Sequence, residues 1–295
     1  MNSWTCRLLL ISVSALAASC SLATEKSFDR RFNAPPGGHL TVQTDVGTVA
    51  VVGHDAREVT VHAQISGFDA DRMSISAEQN PSGVTVIGRR TPFFLFGWGS
   101  LQVRITIDVP NDYPVEIETA GGRIDVRALN ASVRGRTAGG GIVVRDVTGA
   151  TWMHTSGGSI EAERLNGPAE LGTSGGSIDI NDVTGDLDAH TSGGHIRLVN
   201  IDGKVKAHTS GGSVSAEVRA NHGISLSTSG GSISLRLPAN AHGSIDAATG
   251  GGSVRSELPL STEIAGHSYL RGSLNGGGDA ISLHTAGGSI DIDAL

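Results

Sequence analysis

Histidine is the residue type in this chain whose spacing could support chemistry. His190 and His208 are 18 residues apart and each precedes a threonine, while His195 lies shortly after the first of them. Imidazoles that come close together can share a transition-metal ion. His190, His195 and His208 are therefore weak metal-ligand candidates. Because Gly172 and Ser227 occupy the same column in other repeats, an ordinary solvated surface without a metal is the favoured interpretation.

Other signatures of catalysis or cofactor binding are missing from the sequence. No G-x-S-x-G, H-E-x-x-H or phosphate-loop pattern occurs. The two cysteines, Cys6 and Cys20, both lie near the start, which excludes a disulfide framework and a cysteine-based zinc site in the remainder. We predict that the protein is not an enzyme and uses no cofactor. A carbohydrate-active enzyme is the least favoured alternative.

The histidines belong to a repeat that must position them. A threonine followed by serine or alanine and then two glycines recurs every 18 residues, and later with small slips. Self-similarity at a short fixed period is typical of a solenoid. Within each period, apolar and polar residues alternate as they do in half-buried strands. The motif threonines are Thr119, Thr137, Thr155, Thr173, Thr191, Thr209, Thr228, Thr249 and Thr285.

The repeat predicts an all-β fold, a single-stranded parallel β-solenoid (β-helix) with coils of about 18 residues. Each coil should contain two short strands and two corners, and successive coils should stack in register. The motif threonines have inward parity, so their hydroxyls need partners among neighbouring threonines or corner backbone groups. We expect the two motif glycines to turn the chain through positive φ.

Four segments divide the chain. Residues 1–23 read as a signal peptide, in which Leu16 to Cys20 resembles a lipobox with Cys20 as the lipidated residue. Ordinary signal cleavage after Ala23 is the alternative. Residues 24–38 are predicted to be a polar tether, 39–114 an N-terminal β cap of irregular coils, and 115–295 the solenoid array.

An aromatic segment interrupts the predicted cap. Phe93, Phe94, Phe96 and Trp98 supply four of the 11 aromatic residues in the chain. The favoured interpretation is a hydrophobic plug over the end of the solenoid. The alternative is an exposed apolar loop that contacts a partner or the membrane surface.

Charge limits the possible partners. The net charge of −7 argues against nucleic acid, which needs a clustered basic face. Outward strand positions carry mixed charges, as in the row Glu170, Asp188 and Lys206. Such rows favour solubility and register. A groove for a glycan or a peptide is the alternative.

The motifs resemble those of a known family. Repeated T-S-G-G-S-I, L-N-G-G-G at 274–278 and H-T-A-G-G-S-I-D-I at 284–292 are similar to the bacterial DUF4097 family of adhesin-like proteins, over roughly residues 40–295. The resemblance implies a β-solenoid and surface display, without an established activity.

These observations predict an exported, adhesin-like binding or spacer protein of the cell envelope. Its partner would be an unknown envelope protein or glycan, and a lipid on Cys20 would anchor it to the membrane, most simply the outer membrane. Without lipidation it would be periplasmic or secreted. A structural scaffold that self-associates end to end is the alternative, because a solenoid has open β ends.

Overall fold

A computed structural model describes residues 24–91 and 101–295 of the chain. These residues form 25 strands and one short 3-10 turn, Ala70–Arg72. The first strands are β1 Thr24–Asn33, β2 His39–Thr44, β3 Thr48–His54, β4 Glu58–Gly67, β5 Met73–Asn80, β6 Gly83–Arg90, β7 Leu101–Pro110, β8 Val115–Thr119, β9 Ile124–Leu129, β10 Val133–Thr137, β11 Ile142–Thr148 and β12 Thr151–Thr155. The remainder are β13 Ile160–Asn166, β14 Ala169–Thr173, β15 Ile178–Thr184, β16 Leu187–Thr191, β17 Ile196–Thr209, β18 Val214–Thr228, β19 Ile233–Leu237, β20 Gly243–Thr249, β21 Val254–Ser256, β22 Leu260–Ala265, β23 Tyr269–Leu274, β24 Ala280–Thr285 and β25 Ile290–Ala294.

The strands build two parallel walls that are joined at the corners, which confirms the predicted β-solenoid. The threonine wall consists of strands that end at a motif threonine, and it runs through β8, β10, β12, β14, β16 and the second half of β17. The second wall runs through β9, β11, β13, β15 and the first half of β17. Pairing keeps the 18-residue register, as in Thr173 opposite Thr191.

A thin aliphatic core fills the space between the walls. Ile178 and Ile180 from the second wall and Leu187 and Ala189 from the threonine wall are all buried, as the alternation predicts. Each coil contributes a similar set. The motif threonines are buried with them. Small and β-branched side chains suit this flattened interior, because each fills one coil layer without crossing into the next.

The coils do not follow chain order at the two ends, which differs from our expectation of sequential stacking. The last coil, β24 and β25, is inserted between the coil of β18 and β19 and the coil of β20 and β21. At the other end, the coil of β2 and β3 lies against the array, and the later coil of β6 and β7 lies outside it. An 18-residue period specifies the register between coils but leaves their order open.

Antiparallel strands cover both walls at the N-terminal end and the threonine wall at the C-terminal end. At the N-terminal end β4 pairs with β7 and β5 pairs with β6. At the C-terminal end β23 pairs with β20 and β22 pairs with β23. Residues 24–33, predicted to be part of a tether, form β1 and pair along their whole length with β4. The polar sequence does not indicate a strand here, because β1 joins the sheet through backbone hydrogen bonds and only Phe28 and Phe32 pack partly against the core.

Three predictions fall outside the described residues. These are the signal peptide of residues 1–23, the lipidated Cys20, and the aromatic segment with Phe93, Phe94, Phe96 and Trp98. Within the part of the chain that is described, no helix has the length and apolar character needed to span a membrane.

The motif glycines are required by close approach of the coils, and our expectation of positive φ there is wrong. An added Cβ at Gly194, the second motif glycine, would lie 2.1 Å from the carbonyl oxygen of Gly176 in the preceding coil. Positive φ occurs at the opposite corner instead, for example 133° at Gly167 and 129° at Gly185. At the second motif glycine the backbones therefore stack too closely for a side chain.

The same carbonyl groups receive the motif threonines. Thr191 Oγ1 donates to the carbonyl oxygen of Gly176 over 2.8 Å and accepts a hydrogen bond from the backbone N–H of Gly194. This pattern repeats from Thr137 to Thr285. It confirms the prediction that corner backbone groups bind the buried hydroxyls. Thr119 differs, because its hydroxyl is buried without a hydrogen-bond partner.

The close approach predicts different effects for the two glycines of one motif. Gly194→Ala should lower the free energy of unfolding by about 1–3 kcal/mol or more, because the methyl group overlaps a backbone oxygen that cannot move alone. Gly193→Ala should cost clearly less, because its Cβ would lie 3.3 Å from Gly175 O. Chemical denaturation of the two variants measures the difference. Equal losses would contradict this account of the corner.

The threonine ladder predicts a second contrast. Thr191→Val removes the hydroxyl used by two buried backbone groups and should cost about 1–3 kcal/mol in unfolding free energy. Thr119→Val is the matched control, and it should be neutral or stabilising because that hydroxyl has no partner to lose. Thermal and denaturant unfolding report both values. A Thr119→Val loss as large as that of Thr191→Val would refute the role assigned to the ladder.

Candidate ligand-binding groove

Two rows of side chains point outward from the threonine wall. In each strand, the residues three and one positions before the motif threonine alternate with buried residues and face solvent. Parallel register places equivalent residues of successive coils side by side. The first row contains Glu116, Arg134, Trp152, Glu170, Asp188 and Lys206. The second row contains Glu118, Arg136, His154, Gly172, His190 and His208.

A groove of about 660 Å³ follows the first row and the corner that precedes it. It crosses the threonine wall from His39 in β2 to Lys206 in β17. Corner residues such as Pro114 and Pro168 line one side. Because strands in a sheet are about 4.8 Å apart, a groove across seven strands is roughly 30 Å long.

Trp152 lies near the middle of the groove. Its ring is half-buried, and the guanidinium carbon of Arg134 lies 4.7 Å from the ring centroid. On the same strand, the ring of His154 stacks on it with a centroid separation of 6.0 Å. The Arg134 contact is a cation–π interaction, which holds both side chains in place over the sheet. The groove therefore has one ordered aromatic group at its centre.

The charges along the groove are only partly paired. Lys206 Nζ lies 2.9 Å from Asp188 Oδ2 of the preceding coil, which confirms the predicted pairing of opposite charges in that row. The hydrogen bond to Asp188, followed by its negative charge, raises the pKa of Lys206. Glu116 and Glu170 form no hydrogen bond or ion pair with any other described residue. Their carboxylates are therefore available to hydroxyl or amide donors of a ligand.

Two histidines meet in the second row, across a position without a side chain. The rings of His154 and His190 lie 6.0 Å apart between centroids and are tilted by 37°. Gly172 lies between them on the intervening strand. Burial lowers the pKa of His154, the positive charges of His190 and Arg136 act in the same direction, and Glu170 opposes them. His154 is therefore favoured as a neutral imidazole.

The three histidines singled out from the sequence do not form one group. His208 lies beside His190 in register, but its Nδ1 is 2.8 Å from Ser227 Oγ. His195 lies beyond the corner, with Nδ1 3.0 Å from Ser177 Oγ. Within residues 24–91 and 101–295, no three histidine, cysteine, aspartate or glutamate side chains assemble into a possible metal group.

The sequence interpretation missed two features of this face. Gly172 was regarded as a break in the histidine column, whereas its missing side chain is what lets His154 and His190 meet. Trp152 was not singled out from the sequence, because the array has few aromatic residues. A comparison of coils two periods apart would have paired the two histidines, and the column of Arg134, Trp152 and Glu170 would have located the groove.

His154 provides a test of the electrostatics. Its pKa should lie below the ordinary value of about 6.5, and Glu170→Gln should lower it further by removing the charge that opposes the shift. Because the folded-state pKa is depressed, the contribution of neutral His154 to stability is present above the unfolded pKa. It decreases as the pH falls below that value and is lost as the pH falls through the lower folded-state pKa.

Histidine NMR titration measures this pKa, with assignment by His154→Gln. Asp179→Asn, on the outward side of the second wall, is the control for loss of a remote carboxylate and should leave it unchanged. A pKa at or above the ordinary value, or no response to Glu170→Gln, would contradict the assigned environment.

Comparisons with known proteins identify the family of the chain. The chain is similar to the structure of a candidate cell adhesion protein from Clostridium sporogenes ATCC 15579, with 13% identity, a TM-score of 0.24, and coverage of 92% of this chain and 100% of that chain. It is also similar to a candidate adhesin from Bacteroides fragilis NCTC 9343, with 13% identity, a TM-score of 0.39, and coverage of 92% and 97%. No curated protein sequence matches the chain. The family model for Toastrack DUF4097 matches residues 38–293, and the chain therefore belongs to the Toastrack DUF4097 family.

Proposed function

We propose that this protein is an exported, non-catalytic, adhesin-like binding module of the cell envelope, and that it binds an extended glycan in the groove around Trp152. The observation that carries the proposal is the groove itself. It is long and narrow, it crosses many identical strand layers, and it combines one aromatic ring with carboxylate, guanidinium and ammonium groups. A linear polymer fits this shape better than a compact molecule does.

The position of the groove favours a glycan over a peptide. Extended peptides often bind by adding a strand to an exposed sheet edge. The groove lies on the face of the threonine wall, where neighbouring strands already pair on both sides. Recognition must therefore use side chains. Carboxylates such as Glu116 and Glu170 can accept hydrogen bonds from sugar hydroxyls, and Trp152 offers apolar surface.

Export and anchoring complete the proposal. The signal peptide of residues 1–23 would direct the chain out of the cytoplasm, and a lipid on Cys20 would hold it at the outer membrane. The anchor would precede β1, at the end of the solenoid opposite the C-terminal coils. The groove would then lie along the side of an anchored rod, accessible to envelope polymers.

End-to-end self-association has less support. Antiparallel strands lie over both walls at the N-terminal end and over the threonine wall at the C-terminal end, so most of the parallel edge of a bare solenoid is covered. The outermost strand β1 carries Lys26, Asp29, Arg30 and Arg31. Charged edge strands disfavour pairing with another sheet.

Trp152→Ala tests the groove. The variant should weaken binding to envelope polysaccharide by at least about tenfold, since a buried aromatic contact contributes on the order of 1–3 kcal/mol. Phe68→Ala is the matched control, because Phe68 is an exposed aromatic outside the groove and is 65% accessible. Glycan arrays followed by calorimetry on the best ligand give the affinities. Equal binding by the Trp152→Ala variant and the wild type, or no glycan binding at all, would reject the proposal, and turnover of a bound glycan would favour an enzyme.

A further inference from the structure

A second depression, of about 600 Å³, lies at the N-terminal end of the second wall, where β4, β7 and β3 meet the start of β9. Strand register places Arg104 between Gln64 on one side and Thr48 on the other. The backbone N–H of Val49 donates to the carbonyl oxygen of Arg123 over 2.9 Å, which puts Arg123 on the far side of Thr48. The two arginines are therefore two strand spacings apart, about 10 Å, with a short residue between them.

The depression is lined by backbone and by uncharged polar groups besides the two arginines. Gly121 and Gly122 of the first motif corner form part of its lining without contributing side chains. Gln64, Ser66 and Gln102 supply amide and hydroxyl groups, and their side chains form no hydrogen bond with another described residue. Among the described residues, no aspartate or glutamate lines this surface. The lining therefore offers many hydrogen-bond donors and no negative charge.

The positive charges of Arg104 and Arg123 are uncompensated. Neither side chain forms a hydrogen bond or an ion pair with any described residue. The nearest carboxylate along β9, that of Asp125, is already 3.3 Å from Arg127, and Arg57 likewise has an aspartate partner. The rest of the chain, residues 1–23 and 92–100, contains no aspartate or glutamate at all. In a chain with a net charge of −7, these two arginines are left without a carboxylate of their own.

The arrangement suits a phosphate group. Guanidinium groups bind phosphate through parallel N–H donors, and a concave surface of one sign concentrates the field on such a ligand. One arginine is sufficient for a carboxylate, whereas a phosphate monoester carries a charge of about −1.5 to −2 at neutral pH. Two arginines on opposite sides of one group match that charge. The volume exceeds that of a phosphate alone, so the amides of Gln64 and Gln102 are free to bind hydroxyls of an attached unit.

We propose that this depression binds a phosphate monoester of a sugar or of glycerol, with Arg104 and Arg123 on either side of the phosphate above Thr48. Two sources carry this chemistry, a soluble phosphorylated sugar or glycerol and the headgroup of phosphatidic acid. The site lies on the other wall from the glycan groove and shares no lining residue with it. It therefore does not rest on the proposed glycan binding.

Calorimetry in phosphate-free buffer tests the soluble source, with inorganic phosphate, glycerol 1-phosphate and glucose 1-phosphate as probes. Flotation with phosphatidylcholine vesicles, with and without phosphatidic acid, tests the lipid source. We expect saturable binding in at least one of the two assays, with the esters bound more tightly than inorganic phosphate. Binding of the soluble esters assigns the sugar or glycerol source, and binding to phosphatidic acid vesicles alone assigns the headgroup. Absence of saturable binding in both assays would overturn the proposal.

Substitution of the arginines distinguishes the site from general charge attraction. Arg104→Gln and Arg123→Gln should each weaken binding by at least about tenfold, because each removes charge-assisted hydrogen bonds. Arg197→Gln is the matched control, since Arg197 is an exposed, unpaired arginine of the same wall outside the depression, and it should leave binding unchanged. All three variants should melt at the wild-type temperature. Equal weakening by Arg197→Gln, or loss of phosphate binding in Trp152→Ala, would contradict the assigned site.

Discussion

The structure depends on the contact between a glycine carbonyl and the coil that follows it. From Thr137 to Thr285, this carbonyl accepts the hydroxyl of the motif threonine in the adjacent coil and lies against the second glycine of that coil. Any Cβ at that glycine would overlap the oxygen, and any shift in register would separate the hydroxyl from it. One interaction thus fixes both the spacing and the alignment of neighbouring coils. The aliphatic core supplies most of the burial, but it would tolerate small displacements that this contact does not.

Because the inner contacts keep the coils aligned, the outward residues can vary from coil to coil. Because every coil is held in register, a residue at an outward position has defined neighbours one coil away in each direction. A single change, such as tryptophan at 152 or glycine at 172, then creates a local site without disturbing the fold. The motif that is most frequent in the sequence is therefore scaffold. The proposed ligand surfaces lie where the repeats differ.

Much of the fold could be predicted from the sequence because it depends on period and alternation. The 18-residue spacing specifies register, and the alternation identifies inward residues such as Ile178 and Leu187. The order of the terminal coils could not be predicted, since all coils present nearly the same edge. The β1 strand could not be predicted because it pairs through its backbone, and backbone pairing does not require an alternating pattern of side chains. The candidate sites were missed for a similar reason, as the side chain absent at Gly172 matters as much as those present.

The inserted coil of β24 and β25 makes assembly of this end depend on strands that come later in the chain. Coils that stack in chain order can form one after another as the polypeptide emerges. Here β20 and β21 reach the array only through β24 and β25, which are synthesised after them. In this arrangement β20 and β21 can dock only after β24 and β25 have been made. A chain that ends early would leave β18 and β19 with unpaired edges, which are templates for aggregation. The arrangement makes β24 and β25 an internal layer, so the pairing of β20 and β21 with the array depends on strands that follow them in the chain.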